Sequence, residues 1–260
     1  MIECRNIAYA YEDHALRRIE VLRNVSFCIE TGEKVLLLGI NGSGKSTLLR
    51  LLNALIFAEK GAYYFENETV DKAFLKRYGK TFRKRMALQM QEPSSMLFNA
   101  TVYDEIAFGL NHYGFDNVKD RVHHWAQTFN IETLLQSSPL DLSGGQKQKV
   151  LLASLLAIEP EVLLLDEPTA HLDPPSTGWL VEFLESLKIT VITATHNLSL
   201  GRELATRAIV LGSEDGVIYD GSVEALLKDT PILLKAQLLH RHRHAHEGKE
   251  HTHFHLHRWG

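Results

Sequence analysis

Within residues 39 to 46, Gly-Ile-Asn-Gly-Ser-Gly-Lys-Ser, glycines at 39, 42 and 44 precede an ammonium at Lys45 and a hydroxyl at Ser46. This is Gly, four free positions, Gly-Lys-Ser, a spacing that lets a loop turn its backbone N–H groups inward around an anion. Side chains at Gly42 or Gly44 would obstruct that conformation. The octapeptide lies between the apolar run Val35-Leu36-Leu37-Leu38 and the helix-like Thr47-Leu48-Leu49-Arg50-Leu51-Leu52. Strand, loop and helix are therefore expected in that order, with the positive helix end aimed at the same anion. The chemistry is nucleoside triphosphate binding. Gly39, Asn41, Gly42, Ser43, Gly44, Ser46 and Thr47 surround the phosphates, Lys45 reaches the β- and γ-phosphates, and Ser46 ligates Mg²⁺.

A second set of reactive groups stands at Leu165-Asp166-Glu167-Pro168, after the apolar Val162-Leu163-Leu164. An aspartate at the tip of a buried strand beside a phosphate loop can hold Mg²⁺ through its water shell. A carboxylate one residue later can take the proton of an attacking water. Asp166 is assigned to the metal and Glu167 to general-base work. Tyr11 is the expected adenine platform, a flat ring on which a base can stack, with Tyr9 as the alternative.

These groups need a scaffold. The chain has 260 residues, 45% hydrophobic and 23% charged, enough for one large α/β domain with a well-buried interior. Residues 1–38 alternate as an antiparallel sheet would, around strands Ile7–Tyr11 and Val25–Ile29, and Tyr63–Phe65 adds a short strand. Residues 92–141 change to helical periodicity and form an inserted helical subdomain. The α/β rhythm then returns: helix 145–158, strand 162–165, helix 175–187, strand 190–194, helix 197–205, strand 208–211. Continuously apolar strands, each followed by a helix, imply a parallel sheet covered on both faces. The domains expected are a core from 1–91 and 142–225, the helical insertion at 92–141, a C-terminal helix at 226–239 and a histidine-rich tail at 240–260.

Composition narrows the partners. A net charge of −4 gives no reason to expect nucleic acid. Cys4 and Cys28 read as small hydrophobes in a reducing cytosol rather than a disulfide or metal pair. The start, Met1-Ile2-Glu3-Cys4-Arg5, is no signal peptide, and the longest apolar stretch, 150–158, stops at Glu159-Pro160-Glu161, well short of a bilayer span.

Further motifs make a family resemblance specific. Leu142-Ser143-Gly144-Gly145-Gln146 resembles the signature motif of the ATP-binding cassette family and lies just upstream of the Asp166-Glu167 strand, as it does there. Gln91, in Gln89-Met90-Gln91-Glu92-Pro93, resembles the family's glutamine loop, and Ala170-His171-Leu172-Asp173 its aspartate loop. His196, in Ala194-Thr195-His196-Asn197, ends a strand as the family's switch histidine does. The match covers residues 1 to about 225. Ile40 departs from the family's usual proline, at a point where only the backbone faces the phosphate.

The resemblance implies a P-loop, RecA-like parallel core with an N-terminal antiparallel β subdomain and an inserted α-helical subdomain. It also implies ATP hydrolysis with Mg²⁺, and a head-to-tail dimer, with a second copy or a related cassette, that sandwiches two ATP molecules. Ser143, Gly144 and Gly145 would then bind the γ-phosphate held by the opposite subunit, with Asp173 beside them. His196 would hydrogen-bond the γ-phosphate and orient the water. Gln91 would touch Mg²⁺ or water and the joint to the helical insertion. A separate transmembrane subunit would dock on that insertion, with Met96-Leu97-Phe98 as an apolar landing site, leaving the chain peripheral at the cytoplasmic face of the membrane. The stretch Leu97–Gly109 is similar to energy-coupling-factor importer ATPases, most of all to the cobalt and nickel branch.

The tail bears on cargo independently. Eight of the 14 histidines lie there, His240, His242, His244, His246, His251, His253, His255 and His257, at every second residue. An extended chain puts four imidazoles on one side and a helical chain pairs residues four apart, such as His240 with His244; in either case neutral imidazole suits Ni²⁺, Co²⁺, Zn²⁺ or Cu²⁺. Without a ligand the tail is expected to be disordered. The leading expectation is an ATPase powering nickel or cobalt uptake. The alternatives are an importer of zinc or a vitamin, and a soluble cassette ATPase acting on DNA or ribosomes, which a single cassette and negative net charge disfavour.

Overall fold

The computed structural model describes residues 1–12, 15–170, 172–246 and 249–256, with side chains to residue 239. The first half runs β1 (Ile2–Glu12), β2 (Arg18–Ile29), β3 (Lys34–Leu38), α1 (Lys45–Leu52), β4 (Lys60–Phe65), β5 (Glu68–Thr69), α2 (Lys72–Arg85) and β6 (Met86–Gln89). Then come α3 (Val102–Tyr113), α4 (Val118–Thr128), α5 (Gly144–Ala157), β7 (Val162–Asp166), α6 (Pro174–Ser186) and β8 (Thr190–Thr195). The remainder is α7 (Gly201–Leu204), β9 (Arg207–Gly212), β10 (Gly216–Ser222), α8 (Val223–Leu226), α9 (Thr230–Lys235), β11 (Leu239–His246) and β12 (Lys249–Leu256).

An antiparallel sheet in the order β2-β1-β4-β5 covers one side of a six-stranded sheet in the order β10-β9-β3-β8-β7-β6. In the larger sheet β9, β3, β8, β7 and β6 are parallel, and β10 closes the edge antiparallel to β9. The alternation of side chains along these strands feeds two cores. Leu36 and Leu38 of β3, with Leu163 and Leu165 of β7, face α3, α4, α5 and α6. Val35, Leu37, Val162 and Leu164 face α1 and the antiparallel sheet. Burial on both faces is why these strands read as unbroken apolar runs.

Register decides the site. Leu38 pairs with Thr195 across β3 and β8, and Asp166 pairs with Ala194 across β7 and β8, so three carboxyl ends stop at one level. Loops leaving a parallel sheet at that edge share one crevice.

The helical insertion contains α3 and α4, and α5 packs against both to complete its helical layer. α2 carries no expectation from the sequence. Its apolar positions Phe74, Leu75, Tyr78 and Phe82 do have helical spacing, and Asp71 caps its start, accepting from Phe74 N at 2.7 Å. Seven lysines and arginines in Lys72–Arg85 obscure that pattern.

Two expectations at the C-terminal end are corrected. Residues 226–239 do not form one helix: α8 and α9 are separate, because Asp229 caps α9, accepting from Ile232 N at 3.0 Å, and Pro231 has no N–H to continue a helix. Leu239–His246 and Lys249–Leu256 pair as antiparallel strands, where a disordered tail is expected. Likewise the helix expected at 197–205 is a 3₁₀ turn, Leu198–Leu200, followed by α7, with Asn197 capping the turn. Cys4 and Cys28 are free thiols, Cys4 buried.

Candidate functional site

At the level edge of β3, β7 and β8 lies a cavity of about 390 Å³ lined by Tyr11, Val21, Asn41, Gly42, Gly44, Lys45, Ser46, Thr47, Gln91, Asp166 and Glu167. Residues from five separate stretches of sequence therefore meet in one cleft. Gly39 underlies the loop: a Cβ there would stand 2.8 Å from the Leu211 carbonyl oxygen, a backbone atom that cannot yield. A Cβ on Gly44 would meet the Val21 carbonyl oxygen at 3.0 Å. Gly42 differs from the expectation. Nothing lies within 4 Å of a Cβ there, and what it supplies is a φ of +85°.

Lys45 is buried, and its ammonium donates to the carbonyl oxygens of Gly39 at 2.7 Å and Ile40 at 3.1 Å, which ties the loop to the first turn of α1. Burial lowers the Lys45 pKa, and the nearby Glu167 and Asp166 carboxylates oppose that shift. For Asp166 burial raises the pKa, against a hydrogen bond from Ser46 that lowers it. Asp166 Oδ1 and Ser43 Oγ are buried without a protein partner. A buried carboxylate oxygen left over, a hydroxyl bonded to the same group and an amide at the cavity wall form an all-oxygen donor set. That set fits a hard divalent cation such as Mg²⁺.

Glu167 is held by a device no local reading detects. Its φ is +47°, in the left-handed region, and its N–H bonds to the Ala194 carbonyl at 2.9 Å. Thr195 Oγ1 donates to Oε2 at 2.8 Å, while His196 N and His196 Nδ1 reach Oε1 at 3.0 and 2.7 Å. An ionised carboxylate only accepts, so Nδ1 is the protonated ring nitrogen in this pairing. His196 is thus a partner of Glu167, which adjusts its expected contact with a phosphate.

The remaining expected residues distribute as follows. Tyr11 lines the cavity, its hydroxyl 3.4 Å from Thr47 Oγ1, while Tyr9 packs on the core and meets Tyr11 edge-on at 4.9 Å. Ser143, Gly144, Gly145 and Asp173 do not line the cavity. Ser143 and Asp173 are exposed helix caps. Ser143 forms a capping box with Gln146, and Asp173 accepts from Ser176 N at 2.7 Å, bonds that lower its pKa. A Cβ on Gly145 would approach Ser176 Oγ to 2.7 Å, so the starts of α5 and α6 adjoin. His171 and His257 lie outside the described residues.

A second, apolar groove of about 420 Å³ is lined by Leu55, Met90, Met96, Phe98, Phe108 and Leu155, among others. Phe98 and Phe108, 66% and 50% exposed, meet edge-on at 5.0 Å. Of the expected landing site, Leu97 is a core residue, while Met96 and Phe98 line the groove. Glu105 is buried at the groove wall, its Oε2 accepting from Phe98 N at 3.0 Å and Asn99 N at 2.8 Å. The end of β6 spans both cavities. Gln89 exchanges two amide hydrogen bonds with Gln148 of α5, at 3.0 and 2.8 Å, Met90 lines the groove, and Gln91 lines the nucleotide-sized cleft.

Comparison with known proteins decides the family: residues 22–170 match the profile described as ABC transporter. The chain belongs to the ABC transporter family. It is an ATP-hydrolysing, ATP-binding subunit with the mixed α/β fold of that family. A relative in Methanosarcina acetivorans, provisionally named an ABC transporter ATP-binding protein, is 40% identical over 250 residues, 92% of this chain and 89% of that one. The energy-coupling factor transporter ATP-binding protein EcfA of Methanothermobacter thermautotrophicus is 32% identical, over 92% of this chain and 76% of that one. Among solved structures, CbiO1 of Clostridium perfringens, part of the complex CbiONQ, superposes with a TM-score of 0.77 at 31% identity, covering 91% and 94% of the two chains. The dimeric cassette MJ0796, bound to ADP and Pi after hydrolysis, gives 0.76 at 26% identity, covering 86% and 99%.

Thr195, Gln148 and Glu105 were given no role by the sequence reading. Gln148 is 59 residues from its partner Gln89, and no periodicity announces such a pair. Thr195 stands beside His196 at the end of an apolar strand, the one signal that could have drawn attention to it.

Proposed function

We propose that this ABC ATPase powers an importer that takes up a transition metal ion, nickel or cobalt, through a separate membrane subunit, and that it works as a head-to-tail pair of cassettes at the cytoplasmic face of the membrane. The observation that carries this reading is the likeness to CbiO1, part of the complex CbiONQ, along 91% of the chain. The relationship to EcfA supports an importer, and the alternating histidines support the cargo class. Among the described residues no helix is long and apolar enough to cross a membrane. The exposed Phe98 and Phe108 beside Met90 and Met96 form an apolar seat suited to a helix of such a subunit.

In this reading the phosphate loop binds ATP through the N–H groups of residues 39–47, and Tyr11 stacks on the base. Asp166, Ser46 and Gln91 would hold Mg²⁺, which when bound neutralises charge on the phosphates. Glu167 takes the proton of the attacking water, and His196 and Thr195 keep its carboxylate in one orientation. Ser143, Gly144 and Gly145 of one copy, with Asp173 near them, complete the site of the other. Gln91 and Met90, adjacent in sequence but in different cavities, couple the membrane subunit's position to the cleft.

The test is reconstitution in vesicles with a separate membrane subunit that co-purifies with it. ATP-dependent uptake of Ni²⁺ or Co²⁺ is expected, absent with Glu167→Gln. Uptake of a vitamin or of zinc with no movement of nickel or cobalt would overturn the cargo.

A further inference from the structure

Lys72, Lys76, Lys80 and Arg83 of α2 follow one another at intervals of four, four and three residues, and all are exposed. At about 3.6 residues and 5.4 Å per turn they form one stripe roughly 16 Å long on a single side of the helix. The other side carries Phe74, Leu75 and Phe82, which pack on the core beneath the antiparallel sheet, with Phe82 edge-on to Phe65 at 5.4 Å. The helix is thus anchored by its apolar side, and the stripe is its outward side.

No carboxylate stands within Lys72–Arg85. Among the described residues none of the four stripe cations forms an ion pair. Other cations of the helix are engaged: Arg85 meets Glu66 at 2.5 Å and Glu161 at 2.6 Å, and Lys84 stands over the Phe115 ring at 4.2 Å. Cations four apart on a helix repel, and Lys72 lies at the positive end of the helix dipole, so the stripe opposes helix formation. Its charge is complementary to an anion outside the chain.

Arg83, at one end of the stripe, also lines the apolar groove with Met90, Met96 and Phe108. Groove and stripe are therefore continuous. A membrane subunit seated in the groove brings the bilayer to this side of the molecule. Lysine and arginine reach out on long stems, and each adds attraction to an anionic leaflet over a Debye length of about 8–10 Å. The whole chain carries a net charge of −4, so an anionic surface attracts it locally rather than as a whole.

We propose that the Lys72, Lys76, Lys80 and Arg83 side of α2 is a docking surface for anionic lipid headgroups of the membrane, so that the ATPase is fastened at two points, the groove to protein and the stripe to lipid. This rests on the reading of the groove as the seat of a membrane subunit and adds a requirement for anionic lipid.

The full-length chain, without a membrane subunit, is sedimented with vesicles of phosphatidylcholine alone or of an equal mixture with phosphatidylglycerol. Binding to the mixed vesicles only is expected, and its loss as salt is raised from about 0.05 to 0.5 M. Lys72→Gln, Lys76→Gln and Lys80→Gln together should weaken it about a hundredfold while ATP hydrolysis in solution is unchanged. No binding to anionic vesicles, equal binding to neutral ones, or full binding by the triple variant would overturn the proposal. So would loss of co-purification with the membrane subunit in lipid-free detergent on removing the three cations, which would assign the stripe to an acidic segment of that subunit. The two readings fail separately. Binding to anionic vesicles by a chain that never associates with a membrane subunit removes the importer reading and leaves the lipid surface, whereas metal uptake without vesicle binding removes the lipid surface alone.

Discussion

The cleft at the ends of β3, β7 and β8 and the turn that opens α5 carry equally recognisable motifs, yet the fold treats them in opposite ways. The cleft is inward: Lys45 at the start of α1, Asp166 at the end of β7 and Glu167 just after it are all buried. The turn is outward: Ser143 and Gly144 are exposed, and Ser143 forms a capping box with Gln146. The cleft gathers its groups within the chain, whereas the turn leaves the N-terminus of a helix exposed. The two aspartates repeat the contrast. Burial raises the pKa of Asp166, whereas hydrogen bonds from Ser176 lower that of exposed Asp173.

The comparison is broken most directly at Glu167. Glu167→Gln keeps a side chain able to meet Thr195 and His196 but removes the base. Turnover should fall by about 10²–10⁴ while ATP binding persists. In equilibrium sedimentation this variant with ATP should run as a dimer. A persistent monomer, with membrane subunits supplied, would mean that the outward turn does not serve a second cleft.

Mixing two dead subunits sharpens the same point. Lys45→Ala disables a cleft and Ser143→Arg disables a turn, so each homodimer has no working site. A mixed dimer has one cleft and one turn intact and facing each other. An equal mixture should recover roughly a quarter of wild-type hydrolysis, since half the dimers are mixed and each has one site of two. No recovery would show that turn and cleft act within one chain.

The smallest effect is on stability. The folded pKa of Asp166 is raised, so its ionisation opposes folding above the ordinary value of 3.8, and that cost vanishes as pH falls below 3.8. Asp166→Asn should therefore melt higher than wild type at pH 7 and converge with it in acid, by about 2–4 °C per kcal/mol relieved for a chain of this size. Hydrolysis should be lost at both pH values. A lower melting temperature at neutral pH would show that Asp166 stabilises the cleft rather than straining it.

The motifs of the cleft were legible because each is local. Gly39 to Ser46 specifies loop conformation, donor and hydroxyl within eight residues, and an Asp-Glu pair after an apolar run marks a strand end. Periodicity likewise exposed the parallel strands and the helical insertion. α2 escaped because its charges mask four correctly spaced apolar residues, and the break between α8 and α9 was missed although Asp229 and Pro231 mark it.

By itself, the order of residues determined which groups could bind a phosphate and take a proton, since backbone freedom at glycine and the chemistry of lysine, serine and carboxylate are properties of short segments. Only tertiary structure decided which groups share a cavity. The register of β3, β7 and β8 brings Thr195 and His196 onto Glu167. The side-by-side placement of β6 and α5 joins Gln89 to Gln148. Hydrogen-bond pairing between distant strands sets those positions, and such pairing depends on how the whole apolar pattern is buried at once.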